Sequence, residues 1–144
     1  MHSQHFRTHI SVAAMSIAAI VLLVTACAHP PTSRTGAIHD VRVVEAPEPA
    51  DLIVNPGDEV RWVNARNLPI RVDLVGVKQE DFSCERGFSN IFGVIGESAM
   101  AKPNESASAC FNKSGVVNYN LRMESPLPGG EKIVSGVVRI GTKP

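Results

Sequence analysis

The residues of this chain best suited to chemistry are its histidines and cysteines. The chain has 144 residues, of which five are histidines and three are cysteines. All five histidines come before the first predicted strand, and they are His2, His5, His9, His29 and His39. A Ser-His-Asp or Cys-His enzyme needs an imidazole as its general base, and zinc hydrolases need imidazole ligands. The distribution of histidines therefore predicts that the protein is not an enzyme.

Charge narrows the possible functions further. Lysine and arginine together number 14, as do aspartate and glutamate, so the net charge is zero. Nucleic-acid binding is not indicated, since it requires a basic face. The acidic pairs Asp58/Glu59 and Glu80/Asp81 fall at a predicted turn and in a predicted loop, where solvated charge is the expected interpretation. Their spacing does not match a calcium loop.

The N-terminal residues have the pattern of an export signal. A polar segment containing Arg7 precedes the uncharged run ISVAAMSIAAIVLLV, and small residues then lead to Cys27. This order is typical of a secretory signal peptide. The alternative is a retained transmembrane helix, because the apolar run of residues 10–28 is close to the shortest length that spans a bilayer.

The sequence Val-Thr-Ala-Cys at residues 24–27 resembles the lipobox of bacterial lipoproteins. The resemblance implies cleavage before Cys27, a diacylglycerol on its thiol and an acyl chain on the new amine. Several acyl chains give lasting attachment to a bilayer. Ala28 after the cysteine favours the outer over the inner membrane. The alternative is an ordinary signal peptide that is cut near Ala26 or Ala28.

The predicted organisation has three parts. Residues 1–26 form the signal peptide, and residues 27–39 form the lipidated cysteine and a flexible tether rich in proline, serine and threonine. Residues 40–144 form one folded domain. Cys84 and Cys110 lie within it and are predicted to form a disulfide, because an exported chain folds in an oxidising compartment. Two metal-binding thiolates are the alternative, but neither a C-x-x-C motif nor a nearby histidine supports it.

From residue 40 onward the hydrophobic pattern has a period of two. Ile70, Val72 and Leu74 alternate with polar residues, and the same alternation recurs around Trp62 and Tyr119. Turn residues such as those of the NPGD sequence separate the runs. Many short alternating strands without a long amphipathic helix indicate an all-β sandwich or barrel.

Three runs of this domain resemble the cupredoxin family in sequence and in order. They are LIVNPGDEVRWVN, SASACFNKSGVVNYNL and VSGVVRIG. The resemblance extends over most of residues 40–142. It implies a cupredoxin-like, antiparallel or mixed Greek-key β-sandwich.

The copper ligands of that family are missing. A type 1 copper site uses two imidazoles and a thiolate, with a weak axial ligand such as methionine. The resemblance places the first histidine at Ile70, after Pro69, and the cysteine at Leu121. Met123 continues the alternation of Leu121 and is predicted to belong to the core. The sequence therefore predicts neither a metal site nor a cofactor.

Two loops are candidate recognition surfaces. The loop within residues 82–104 carries Phe88, Ile91 and Phe92, which could be exposed or could cover an open end of the sandwich. Residues 125–132 carry Pro126 and Pro128, which could contact a partner or simply connect a hairpin.

The predicted function is that of a membrane-anchored envelope lipoprotein with a copper-free domain in a binding, structural or accessory role. Its predicted partners are the lipid bilayer, through acylated Cys27, and an envelope protein. The predicted location is the periplasmic face of the outer membrane. One alternative is a weak copper-handling protein that uses Met100, Met123 or reduced Cys84 and Cys110. Another is an accessory subunit of a membrane redox complex that carries no redox centre.

Overall fold

The computed structural model describes residues 36–125 and 129–141. Cys27, Pro126 and Pro128 lie outside these residues, as do the predicted signal and most of the tether. Among the described residues, no helix is long and apolar enough to cross a membrane. The described residues form ten strands: β1 Ile38–Val43, β2 Pro47–Glu48, β3 Asp51–Val54, β4 Glu59–Asn64, β5 Ile70–Val75, β6 Phe82–Arg86, β7 Ser98–Ala101, β8 Ser106–Phe111, β9 Gly115–Glu124 and β10 Glu131–Ile140.

The strands form two five-stranded sheets. The order is β2-β1-β4-β8-β6 in the first sheet and β3-β10-β9-β5-β7 in the second. Neighbouring strands are antiparallel except for β1 with β4 and β3 with β10, which run parallel. A two-sheet, all-β architecture with mixed pairing confirms the predicted fold class.

The core lies between the inner faces of the two sheets. Trp62 of β4 and Tyr119 of β9 meet there edge to face, with ring centroids 5.4 Å apart, and both are fully buried. On β5, Ile70, Val72 and Leu74 are buried while the residues between them face outward. Each buried side chain of this size contributes roughly 1.5–3 kcal/mol. The period-two pattern therefore identified the inner face of β5 correctly.

The first strand starts earlier than the sequence predicted. β1 begins at Ile38, two residues before Asp40, and pairs with β4 through Ile38 opposite Glu59. His39 lies in β1, with its Nε2 atom 3.1 Å from Oδ2 of Asp58. The prediction that no histidine belongs to the β-domain is therefore wrong for His39. Its pairing partner is about twenty residues away along the chain, so the local pattern did not reveal it.

The prediction of solvated charge at Asp58 and Glu59 is also wrong, because both residues are buried, with exposed fractions of 5% and 7%. The Asp58 carboxylate accepts hydrogen bonds from the backbone N–H groups of Asn55 and Ala37, each at 2.9 Å. The hydrogen bond from Asn55 is the main cause that holds the pKa of Asp58 below its usual value. Asp58 thus ties the start of the domain to the turn between β3 and β4.

Replacing Asp58 with alanine is expected to destabilise the domain by about 2–4 kcal/mol, because two backbone N–H groups lose their buried acceptor. Asp58→Asn, which keeps one oxygen, is the matched control. Because the folded-state pKa is depressed, this carboxylate stabilises the fold above its unfolded-state pKa of 3.8, and the contribution is lost as the pH falls through the folded-state value. Urea unfolding of the parent and of Asp58→Asn between pH 3 and pH 7 measures this pH-dependent contribution. An Asp58→Asn protein that loses stability on acidification as steeply as the parent would contradict a stabilising role of the carboxylate.

The disulfide between Cys84 and Cys110 is present, as the sequence predicted. The two residues lie directly opposite each other in β6 and β8, with Cα atoms 4.8 Å apart. The bond fixes β6, an edge strand, to the inner strands of its sheet. β6 was not predicted as a strand, because its residues, FSCER, lack a continuous apolar alternation and depend on pairing with β8.

Candidate functional site

Buried apolar side chains fill the positions at which the resemblance implies copper ligands. Ile70 begins β5 and lies opposite Met123 of β9 on one side and Ala101 of β7 on the other. Leu121 is on the same strand as Met123 and also faces inward. None of these four residues is more than 1% exposed. Because the set lacks both imidazole and thiolate, these residues do not fit a type 1 copper centre.

A fully buried asparagine ties together the loops at this end of the sandwich. Asn64 ends β4, and its Nδ2 atom donates to the carbonyl oxygens of Leu68 and Ala101, each at 3.0 Å. Its Oδ1 atom accepts the backbone N–H of Arg66 at 3.0 Å. The amide therefore holds the connection between β4 and β5 against β7. Both of its polar atoms are hydrogen-bonded to backbone groups of the domain.

The donors of the alternative copper site are not brought together. Met100 of β7 lies opposite Arg71 of β5 and is 58% exposed, whereas Met123 of β9 faces the core. Cys84 and Cys110 are joined in the disulfide. In residues 36–125 and 129–141, no three or more histidine, cysteine, aspartate or glutamate side chains are grouped so that they could hold a metal ion.

The connection between β6 and β7 begins with a buried anchor. Phe88 is only 2% exposed. Its ring packs edge to face against Trp62 at 6.0 Å and in a tilted arrangement against Phe82 at 5.9 Å. The Glu85 carboxylate accepts the backbone N–H groups of Phe88 and Ser89, at 3.0 and 3.2 Å. Phe88 therefore covers the core, which is the second of the two alternatives that the sequence left open for this loop.

Beyond this anchor, residues 89–95 form a tight turn that we call the tip. Ser89 and Ile95 form an isolated antiparallel bridge at its base. Within it, the Asn90 Oδ1 atom accepts the backbone N–H groups of Phe92 at 2.9 Å and of Val94 at 3.1 Å. Ile91 and Phe92 project from the tip with exposed fractions of 93% and 83%. They are the most exposed large apolar side chains of the described residues.

A polar network covers part of the outer face of the second sheet. Asp73 lies between Arg71 and Arg122, each of which donates through Nε at 2.7 Å, and Ser98 donates to it at 2.6 Å. Burial alone would raise the pKa of Asp73, but hydrogen bonds from Ser98, Arg122 and Arg71 outweigh it and hold the pKa below its usual value. The carboxylate offsets the repulsion of two arginines that face each other on adjacent strands. We interpret this network as structural.

Two depressions of the surface are shallow. One, of about 370 Å³, lies at the base of the tip between Phe88 and Ser98. The other, of about 200 Å³, lies where β8 meets β9, with Phe111 and Ile140 in its wall and the Lys113–Asp81 ion pair at its edge.

Sequence reasoning brought Phe88, Ile91 and Phe92 together as one candidate group, and the structure separates them into an anchor and an exposed tip. It missed Glu85 and Asn90, whose side chains hold the backbone of the loop. An asparagine followed by a glycine three residues later is a turn signal, so the sequence NIFG could have identified the tip. Whether Pro126 and Pro128 contact a partner stays a prediction, because both lie outside the described residues.

Known proteins offer a few similarities in structure. Neither a family model nor a curated protein matches the chain. Among solved structures, a Cu(I) form of an amicyanin mutant is 24% identical, with a TM-score of 0.48, and the match covers 72% of this chain and 82% of that chain. Amicyanin from Paracoccus versutus is 19% identical, with a TM-score of 0.43, and the match covers 78% and 86%. At these values, the similarity carries no information about what this chain binds.

Proposed function

We propose that this chain is a lipid-anchored protein of the bacterial envelope whose cupredoxin-like domain acts through surface contacts and without copper. The observation that carries the proposal is the apolar packing of Ile70, Leu121 and Met123 where the sequence resemblance implies metal ligands. Apart from the Met123 thioether, these side chains offer copper no donor atom, and their packing stabilises the fold instead.

The anchoring half of the proposal is supported by the sequence. The Val-Thr-Ala-Cys motif at residues 24–27 follows an apolar segment and precedes a tether rich in proline, serine and threonine. The disulfide between Cys84 and Cys110 supports an oxidising compartment. The periplasmic face of the outer membrane is the location that we propose, with the bilayer and an envelope protein as partners.

The part of the proposal that says the domain acts without copper predicts the outcome of a metal titration. Adding Cu²⁺, or Cu⁺ under reducing conditions that leave the disulfide intact, is expected to produce no intense blue absorbance and no rise in melting temperature. A ligand present at 100 times its dissociation constant would add roughly 2.7 kcal/mol of stability, which a melting curve readily shows. Absorption spectra and calorimetry of the purified protein provide the measurement.

The matched control for this titration is Met100→Ala, which removes the exposed thioether of β7. Parent and variant are expected to give the same spectra and the same melting temperatures with and without copper. Stoichiometric binding by the parent that is lost in the variant would overturn the copper-free proposal and would favour copper handling.

A further inference from the structure

The tip, residues 89–95, presents an apolar surface that nothing in the described part of the chain covers. Ile91 and Phe92 are adjacent and almost fully exposed, and Val94 beside them is 52% exposed. Single exposed apolar residues are ordinary on protein surfaces, but adjacent ones on a projecting turn expose a continuous patch. Removing such a patch from water is favourable in proportion to its area.

Several backbone N–H groups of the tip are hydrogen-bonded within the turn itself. The N–H groups of Phe92 and Val94 are bonded to the Asn90 side chain, and the N–H group of Gly93 donates to the Asn90 carbonyl oxygen at 2.9 Å. The Asn90 N–H group donates to the Val94 carbonyl oxygen at 3.0 Å. Unpaired backbone groups are costly in lipid. Four N–H groups of the turn are paired in this way, which lowers that penalty, and the preformed turn needs little ordering when it binds.

The tip also carries no charge. From Gly87 to Gly96 the sequence contains no acidic or basic residue, and Arg86 and Glu97 flank this stretch. Burying an ionised side chain is the main obstacle to entering a bilayer, and insertion of the tip would bury none. Binding of this kind is hydrophobic, so it should depend little on salt and should not require anionic lipids.

The tether, when fully extended, is comparable in length with the longest strands of the domain. Eight residues, 28–35, separate Cys27 from Gly36, where the described residues begin. Fully extended, this connection spans at most about 30 Å. The ten-residue strands β9 and β10 are about 33 Å long, so the anchored domain can lie with its side on the bilayer. Anchoring also makes insertion intramolecular, so a weak insertion is sufficient.

Resting on the lipid anchoring proposed above, we infer that the tip inserts Ile91 and Phe92 into the bilayer that holds the acylated cysteine. The domain then has a second attachment, which orients it on the membrane. Lipid is the occupant that these observations favour, because the tip is convex, uncharged and internally hydrogen-bonded.

A tryptophan reporter tests this inference. In the mature protein reconstituted into phosphatidylcholine vesicles, Phe92→Trp is expected to emit at shorter wavelength than in the Cys27→Ser protein without vesicles. It should also be severalfold less quenched by acrylamide. Trp62 is fully buried and gives a constant background. A reporter that remains fully open to acrylamide on the vesicles overturns the inference. So does a reporter that is shielded only when envelope proteins are added, which would mean that the tip docks on a protein.

A pair of double variants measures the contribution of the tip without the acyl chains. In the Cys27→Ser protein, Ile91→Ser with Phe92→Ser is expected to weaken vesicle binding by roughly 100-fold. The control is Ile53→Ser with Ile133→Ser, which removes half-exposed side chains from β3 and β10 at the opposite edge of the second sheet. An equal loss in both double variants overturns the inference. The mass of the N-terminal peptide separately decides whether Cys27 is acylated, so anchoring and insertion can fail independently.

Discussion

Replacing Cys27 with serine is expected to move essentially all of the protein from the membrane to the soluble fraction. The serine hydroxyl cannot replace the cysteine thiolate as the nucleophile that takes up the diacylglycerol. One acyl chain gives only marginal, reversible attachment, whereas several chains give stable attachment. The tip alone should bind far more weakly than this anchor. Fractionation of cells, followed by mass spectrometry of the N-terminal peptide, measures both the location and the modification.

Ala28→Ser is the matched control for this experiment, since it leaves the cysteine and the residues before it intact. This variant is expected to stay in the membrane fraction. If the parent protein itself retained residues 1–26, the apolar run of residues 10–28 would be a membrane-spanning helix. That outcome would contradict the lipoprotein proposal without affecting the fold.

Replacing Gly136 with alanine is expected to destabilise the domain by about 3 kcal/mol, which corresponds to a fall of roughly 10–20 °C in melting temperature. Gly136 of β10 lies opposite Tyr119 of β9, and the tyrosine ring lies over the glycine. A Cβ atom at position 136 would overlap the hydroxyl oxygen and Cζ of Tyr119. Because Tyr119 is buried against Trp62, its ring has no space into which to move. Thermal and urea unfolding monitor the loss.

Gly96→Ala is the control, because a Cβ atom there would meet its nearest neighbour, the Phe88 carbonyl oxygen, at an ordinary 3.7 Å. This variant is expected to keep the parent stability to within about 1 kcal/mol. A Gly136→Ala protein as stable as Gly96→Ala would show that the packing between β9 and β10 is looser than described. The reporter of that packing is Tyr119 itself, since burial raises its pKa to about 12. Its ionisation should shift towards lower pH if the ring becomes exposed.

The strands predicted best from the sequence are those whose pattern is local. On β5, the alternation of Ile70, Val72 and Leu74 with polar residues followed from the pleat alone. β6 and the first residues of β1 were missed, because each depends on a partner strand far away in the chain. The burial of Asp58 was missed for the same reason, since one of its hydrogen-bond donors, Ala37, is 21 residues away.

The sequence by itself determined which donor atoms the chain possesses, whereas the pairing of β1 with β4 decided that His39 belongs to the domain. The sequence also determined the β-rich pattern, the pairing of two cysteines and the expectation of an acylated Cys27, because these depend on residue types and short motifs. Only the tertiary structure decided that Phe88 is buried while Ile91 and Phe92 project into solvent. The same loop supplies all three, and hydrophobicity alone does not distinguish them. What separates them is whether a side chain finds Trp62 and Phe82 beside it, and that depends on how the two sheets pack.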